Sequence, residues 1–432
     1  MLSLTQYALL RRVAQRLLAV TPFVLTPLFA QGATYYVAKT GSSDSNSCTA
    51  AAPCLTIRKG ISVMSGGDTL VIGDGTYEEF IHGGPPSGSA GAPTTIRAAN
   101  RNKAILLPNA PSDYYVVQIV DKTWVVIDGL VADACTIQSY PFRLEGSTAN
   151  TVIKNVVAKN GHGDYSTGIA FHATGGGNQL LNSESHHNGF STCGGSTPAS
   201  AAGHGGYFAG HDALIEGNRF YNNAWISFQI YNYSGGANNN TARNNIAHDN
   251  GSGVIVSGDG NLVYNNLIYN NTTRAENGIW VYGAASNAEI FNNTIYGNNA
   301  YCITVDSGAS SNQIKNNICY QNRYGAINDG GAGTTCTYNL GVSGGEGGSN
   351  NCSASSSATN PVFVDLSAVN FHLQGGSPAI KTGVNLSSTF TTDFDGNPRP
   401  TSSVWDKGAF TYTIAPSSAP SPPTNLRVTG TN

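Results

Sequence analysis

KNNICYQN at 315–322, FNNTIYGN at 291–298, YNNLIYNN at 264–271, RNNIAHDN at 243–250 and EGNRFYNN at 216–223 are five versions of one eight-residue phrase. LNSESHHN at 181–188 and IKNVVAKN at 153–160 extend it toward the N-terminus. Laid over one another, they give one column of Asn155, Ser183, Asn218, Asn245, Asn266, Asn293 and Asn317. Five residues on, a second column holds Asn160, Asn188, Asn223, Asn250, Asn271, Asn298 and Asn322. The steps between first-column members are 28, 35, 27, 21, 27 and 24 residues. So uneven a period excludes a rigid helical repeat and suits coils that keep their strands while their loops vary.

Between the Asn blocks lie short alternating segments, GIAFHA at 168–173, GGYFAG at 205–210, GVIVSG at 253–258, GIWVYG at 278–283 and CITVDSG at 302–308. Each coil has room for about three short strands, and stacking coils sets equivalent residues about 4.8 Å apart. Asparagine suits such a column because its amide both donates and accepts, so each side chain can bond the next. A lone buried amide would cost roughly 1–3 kcal/mol. The fold expected is all-β, a right-handed parallel β-helix of three-strand coils, with 116–340 as its regular part. TIRKGISVM at 56–64 reads as a short capping helix within an N-terminal region of 31–115, since an open first coil would expose strand edges and core. Residues 341–413 are expected to form the last coil and a C-terminal cover. APSSAPSPP, from Ala415, reads as a Pro/Ser linker inside a tail of 414–432.

Arg11, Arg12 and Arg16 precede an apolar run from Leu17 to Ala30, the pattern of an export signal over 1–30. The run is broken by Pro22 and Pro27, and no later stretch is long enough to span a bilayer. Secretion, outside the cell or into a periplasm, is therefore the expected location. Only 11% of residues are charged and the formal net charge is −3, so no basic stripe exists for nucleic acid. Eight cysteines in an exported chain imply disulfides. Cys48 with Cys54 and Cys336 with Cys352 bracket short loops and read as pairs, while Cys135, Cys193, Cys302 and Cys319 leave three pairings open.

Two further stretches carry a resemblance that covers roughly Thr34 to Tyr412. YYVAKTGSSDSNSCTAAAPCLTIRKGI followed by GDTLVIGDGTY, and NPVFVDLSAVNFHLQGGSPAI followed by TDFDGNPRP and DKGAF, resemble the two ends of bacterial secreted right-handed β-helix proteins of the pectate-lyase-like superfamily. The resemblance implies the fold and a polysaccharide partner. It leaves the reaction open, because that superfamily holds lyases, hydrolases and epimerases. GHG at 161–163 matches three residues of the polygalacturonase-type pattern, but the paired-Asp and Arg/Lys motifs that accompany it there are absent. The Asp-Pro-His-Glu motif of alginate epimerases is absent too, as is the aspartate and lysine set of β-helical pectate lyases. The tail PSPPTNLRVTG resembles the first strand of a fibronectin type III module.

In GIAFHA, Ile169 and Phe171 should point inward, which turns Ala170 and His172 outward. The same phase puts Tyr207, Trp280 and Thr304 in one outward column and Ser257, Tyr282 and Asp306 in the next, with Tyr231 a further member. Such a row, with Tyr207, Tyr231, Trp280, Tyr282 and Asp306 as binding residues, suits the faces of sugar rings. Unequal loops bring His162, Asp164, His204, Arg274 and Glu276 toward one edge of this face. A lyase acting on a polyuronate needs a base for the proton beside the carboxylate and a cation to offset it. His172 or His204 is the expected base, Arg274 the charge partner, and Asp164 with Glu276 the ligands if calcium is the cofactor. Hydrolysis would instead use two carboxylates, Asp164 with Glu276 or Asp306. A non-catalytic carbohydrate-binding or surface rod is the third reading. The chain is expected to act as a monomer. On the Asn-bearing strands His186, His187, His248 and Asp249 fall near one another, with Lys159 matched to His187, and read as a solvated face.

Overall fold

The computed structural model describes residues 32–109, 115–138, 140–200, 203–231, 236–274, 276–341 and 359–413. The expected export signal, the linker tail and Cys352 lie outside these residues. Among the described residues, three parallel sheets of twelve, ten and nine strands run the length of the molecule. One coil shows the plan. Val152–Lys154 belongs to the twelve-stranded sheet, Val157–Lys159 to the ten-stranded and Thr167–Phe171 to the nine-stranded, and Gln179–Leu181 then returns parallel to the first. The result is a right-handed parallel β-helix. Like residues stack on like: Ile153, Leu180, Ile215, Ala242, Val263, Ile290 and Ile314 form one buried inward file. Each such file removes apolar surface from water at every step, and that burial is the main stabilising term.

The Asn blocks make the ladders. Asn245 accepts at its amide oxygen from the backbone N–H of Asn218 (3.0 Å) and from the Asn218 amide (3.0 Å), and donates its own amide to the Ile215 carbonyl (2.8 Å). The same bonding repeats from Asn188 through Asn223, Asn250, Asn271 and Asn298 to Asn322. The bonds that link these ladder amides satisfy them, which is the condition for burying them at all. A third ladder, formed by asparagines outside the repeated phrase, joins Thr151 to Asn178, Ala213 to Asn240 and Asn261, and Ala288 to Asn312.

The register corrects the first coil of the alignment. Lys154 pairs with Leu181 and Lys159 with His186, so Asn155 matches Asn182 and Asn160 matches His187. The ladder positions there are Val156 and Gly161, whose N–H groups donate to Ser183 Oγ (3.2 Å) and Asn188 Oδ1 (2.9 Å). Lys159 likewise corresponds to His186, not His187. The reason is local. In each Asn-Asn pair within the repeated phrase the first residue turns the chain at positive φ, as at Asn265 (52°) and Asn292 (50°), and only the second enters the ladder. Asn155 (55°) and Asn160 (62°) are turn residues of this kind, a conformation asparagine adopts more readily than most side chains. Their amides reach back to Asp128 and Asp133, each at 2.8 Å.

The helix Ile57–Ser62 covers the first coil as expected, with the Thr56 hydroxyl accepting from Lys59 N–H (3.1 Å). Gly60 is required there: a β-carbon would lie 2.7 Å from Leu70 and 2.8 Å from Val37. At the other end, Phe363–Asp365 and Asn370–Leu373 form an antiparallel hairpin, not another coil. Residues 359–413 pack on the flank of the later coils, setting Phe371 on Tyr269 and Tyr296, and Trp405 and Phe390 in one apolar cluster with Tyr264 and Phe291. Disulfides join Cys48 to Cys54, Cys135 to Cys193 and Cys302 to Cys319. The first is the expected pair, and the last two decide the pairing that spacing left open. Cys336 is also disulfide-bonded. Among the described residues no helix is long and apolar enough to cross a membrane.

Candidate active site

The outward face of the nine-stranded sheet carries the phase expected of it. Arg143, Ala170, Tyr207, Gln229, Ile255, Trp280 and Thr304 follow one another in register. Rings continue along this face with centroid separations of 5.8 Å for Tyr115 and Tyr140, 6.3 Å for Tyr140 and His172, and 4.6 Å for His172 and Tyr207. Beyond them come Tyr207 and Tyr231 (5.8 Å), Tyr231 and Tyr282 (5.8 Å), and Tyr282 and Trp280 (4.9 Å). The strip is a consequence of stacking: successive coils contribute Tyr115, Tyr140, His172, Tyr207 and Tyr231, the next coil sets Ser257 in the row, and the one after it adds both Trp280 and Tyr282.

A cleft of about 520 Å³ opens in the strip, where Ala170, with a single methyl, stands between Arg143 and Tyr207. Arg143, His172, His204, Tyr207 and Tyr140 line it, with Thr167 and the exposed Tyr165 at its edge. Two loops wall one side. A β-bridge joins His162 to Phe190, Ser200 Oγ donates to Asp164 (2.7 Å), and the Cys135–Cys193 disulfide ties the longer loop down. His204 leaves that loop with its N–H on the Ser166 carbonyl (3.1 Å), and is thereby carried into the cleft.

Both imidazoles are held neutral. Burial, aided by the Arg143 charge, lowers His172 to about 4. Burial, with His172 beside it, lowers His204 to about 3. His172 Nε2 and His204 Nδ1 are buried without a hydrogen-bond partner. Such groups cost stability, and in a cleft they are free to meet a ligand. Arg143 stacks on Tyr140 (4.7 Å) and Tyr115 (5.2 Å) and pairs with Glu145 at 2.5 Å. Burial raises Tyr140 against the opposing pull of Arg143.

Of the expected catalytic residues, His172 and His204 share the cleft and Tyr207 lies between them, with ring separations of 4.6 and 5.9 Å. Asp164 ties two loops together through Ser200. Arg274 and Glu276 gather around Trp225 instead: the guanidinium lies 4.0 Å over its ring, and Glu276 accepts from its Nε1 (2.8 Å). Trp225 in turn stands 6.3 Å from His204. Asp306 accepts from Trp280 Nε1 (2.7 Å) and so holds that ring in the strip. Among the described residues no group of three or more His, Cys, Asp and Glu gathers as a metal site. The sequence reading missed Arg143, Tyr140 and Trp225. In PFRLE the inward Phe142 and Leu144 give Arg143 away as outward, one coil before the phase was followed.

On the ten-stranded sheet Lys159, His186, Tyr221, His248 and Tyr269 form another column. Here the rings lie flat on one another, Tyr221 on His248 at 5.4 Å and His248 on Tyr269 at 5.0 Å. His248 is used at both nitrogens, accepting from Arg219 (2.9 Å) and meeting Asp249 at 2.6 Å.

Residues 186–340 match a family model described as a right-handed β-helix region. No curated protein matches the chain in sequence. Among solved structures, pectate lyase Pel9A is similar with a TM-score of 0.60 at 17% identity, covering 89% of this chain and 97% of that one. A rhamnogalacturonan lyase is similar with a TM-score of 0.50 at 17% identity, over 78% of this chain and 91% of that one. At such identities the likeness is one of fold.

Proposed function

We propose that this right-handed parallel β-helix, of the pectate-lyase-like fold, is a secreted enzyme that cleaves an acidic polysaccharide by β-elimination in the cleft around Tyr207. One observation carries the reading: a cation, two neutral imidazoles and a tyrosine line a single cleft within a strip of rings. In the proposed reaction Arg143 lies against the uronate carboxylate and offsets the charge that builds there. His172 takes the proton from the carbon beside that carboxylate. A carbon–carbon double bond forms, the glycosidic bond breaks, and the departing oxygen takes a proton from the Tyr207 hydroxyl. His204, buried beside it, positions Tyr207. Trp225, braced by Arg274 and Glu276, supports His204. Tyr231, Tyr282 and Trp280 hold the sugars on one side of the cut.

Hydrolysis by paired carboxylates is less well supported, because among the described residues the side chains lining the cleft include no Asp or Glu. Calcium enters no step of this proposal. The disulfides and the export-like N-terminus support secretion. The test is a panel of polygalacturonate, alginate, glycosaminoglycan and neutral glycans, with calcium or with chelator, read by ultraviolet absorbance of an unsaturated product and by new reducing ends. Absorbance on an acidic member, abolished in His172→Ala and reduced at least ~100-fold in Tyr207→Phe, is expected. Reducing ends without absorbance would replace elimination by hydrolysis. Silence on every member would leave a binding rod.

A further inference from the structure

The turn residues preceding the first Asn ladder form a column of their own on the outer corner between the twelve- and ten-stranded sheets. In its later half they hold the chain's own C-terminal segment. Asn265 donates to the Thr392 carbonyl (2.9 Å), Asn292 to those of Asp406 and Gly408 (both 3.0 Å), and Asn316 to that of Val384 (2.8 Å). In its earlier half the column reads Asn182, Gly217 and Asn244, and there a groove of about 510 Å³ remains open. Leu181 and Ile246 contribute apolar surface to it, and Phe394 lines it from the C-terminal segment.

The groove differs from the cleft in its charges. Glu216 is paired with Arg243 at 2.8 Å, and Arg219 is bonded to His248, which meets Asp249. Arg243 thus has an acidic counterpart, and Arg219 is engaged by His248 and by the Tyr221 ring, 4.4 Å away. What remains is neutral and polar. The Asn244 side-chain oxygen is buried without a hydrogen-bond partner. Gly217, at φ 68°, lets the Asn182 amide pack directly on the backbone of the next coil, since a β-carbon there would lie 2.5 Å from Asn182 Oδ1. Amides that each offer a donor and an acceptor match the hydroxyls of a sugar, and an aromatic ring with aliphatic neighbours matches its apolar face. We infer that this groove is a second glycan site, which binds a neutral oligosaccharide on the flank of the solenoid. It is independent of the chemistry proposed for the cleft. It would keep a mixed polysaccharide attached by its neutral part while another stretch occupies the cleft.

Calorimetric titration of the full chain with neutral hexaoses of glucose, xylose, mannose and galactose tests this, with an unstructured Ser/Pro-rich peptide as the competing class. At least one hexaose should bind. Asn244→Ala and Phe394→Leu should each weaken it at least tenfold, and Tyr207→Ala should leave it unchanged. Asn182→Ala, remote from the C-terminal segment, provides the same readout should Phe394→Leu disturb that segment. Failure of all four hexaoses to bind, binding of the peptide alone, or loss of hexaose binding in Tyr207→Ala would each overturn the inference.

Discussion

Two faces of this solenoid carry columns of rings at the same coil spacing, and they differ in what their polar atoms do. On the ten-stranded sheet His248 lies flat between Tyr221 and Tyr269, interplanar angles 4° and 5°, with both ring nitrogens engaged. The C-terminal hairpin then covers the column at Tyr269 and Tyr296. On the nine-stranded sheet His172 and Tyr207 are tilted by 47°, and the imidazoles of His172 and His204 each keep a buried nitrogen unbonded beside an open cleft. Stacking coils will make a file of any residue type. A file becomes structural when its polar atoms are satisfied within the protein, and available for chemistry when they are not.

The sharpest way to break this comparison is to remove a polar atom on which a ladder depends. Asn245→Leu leaves the Asn218 amide and N–H without their acceptor and crowds a packed corner. It should cost about 3 kcal/mol or more in chemical denaturation. The same change at Asn155, a turn residue outside the ladder, should cost far less. Equal costs would mean that the register drawn for the first coil is wrong.

Acidity sharpens it next. His172 and His204 titrate below their ordinary value of 6.5 in the folded chain, so the unfolded chain binds those protons first. Their contribution is intact above about pH 6.5, and stability falls as the pH drops toward 4, by about 3 kcal/mol for His172. His172→Phe should therefore lose less stability than the parent between pH 6.5 and 4. Parallel losses would mean that His172 is not held neutral by the cleft. The smallest effect concerns Arg143, whose charge Glu145 shares. Glu145→Gln should lower KM for an acidic polysaccharide roughly threefold while leaving the affinity for neutral sugars unchanged. A rise in KM would assign Glu145 to holding Arg143 in place.

The architecture was largely legible because Asn-Asn pairs that recur at uneven spacing fit few folds besides a solenoid with variable loops. Asn155 and Asn160 misled because a single asparagine serves a left-handed turn as well as a ladder. The third ladder went unseen for a related reason: Asn178, Asn240, Asn261 and Asn312 each stand outside the repeated phrase. In the site, alternation was enough to turn His172 and Tyr207 outward. Loop length was a poor guide to Arg274 and Glu276, whose partner Trp225 comes from two coils away and draws them away from the cleft lining. Arg143 sits on a strand with no conspicuous loop, so the alternation of PFRLE marked it as outward but nothing local marked it as the cation of a cleft.

The central claim is that acidic glycan is cut on the nine-stranded face and not on the ten-stranded one. Initial rates of unsaturated-product formation should be compared for the parent, for His172→Ala with His204→Ala, and for His186→Ala with His248→Ala, on one acidic polysaccharide and below the melting temperature of all three. The account predicts no product from the first pair and at least half the parental rate from the second. Product from the first pair at the parental rate, or its loss only in the second, would contradict it.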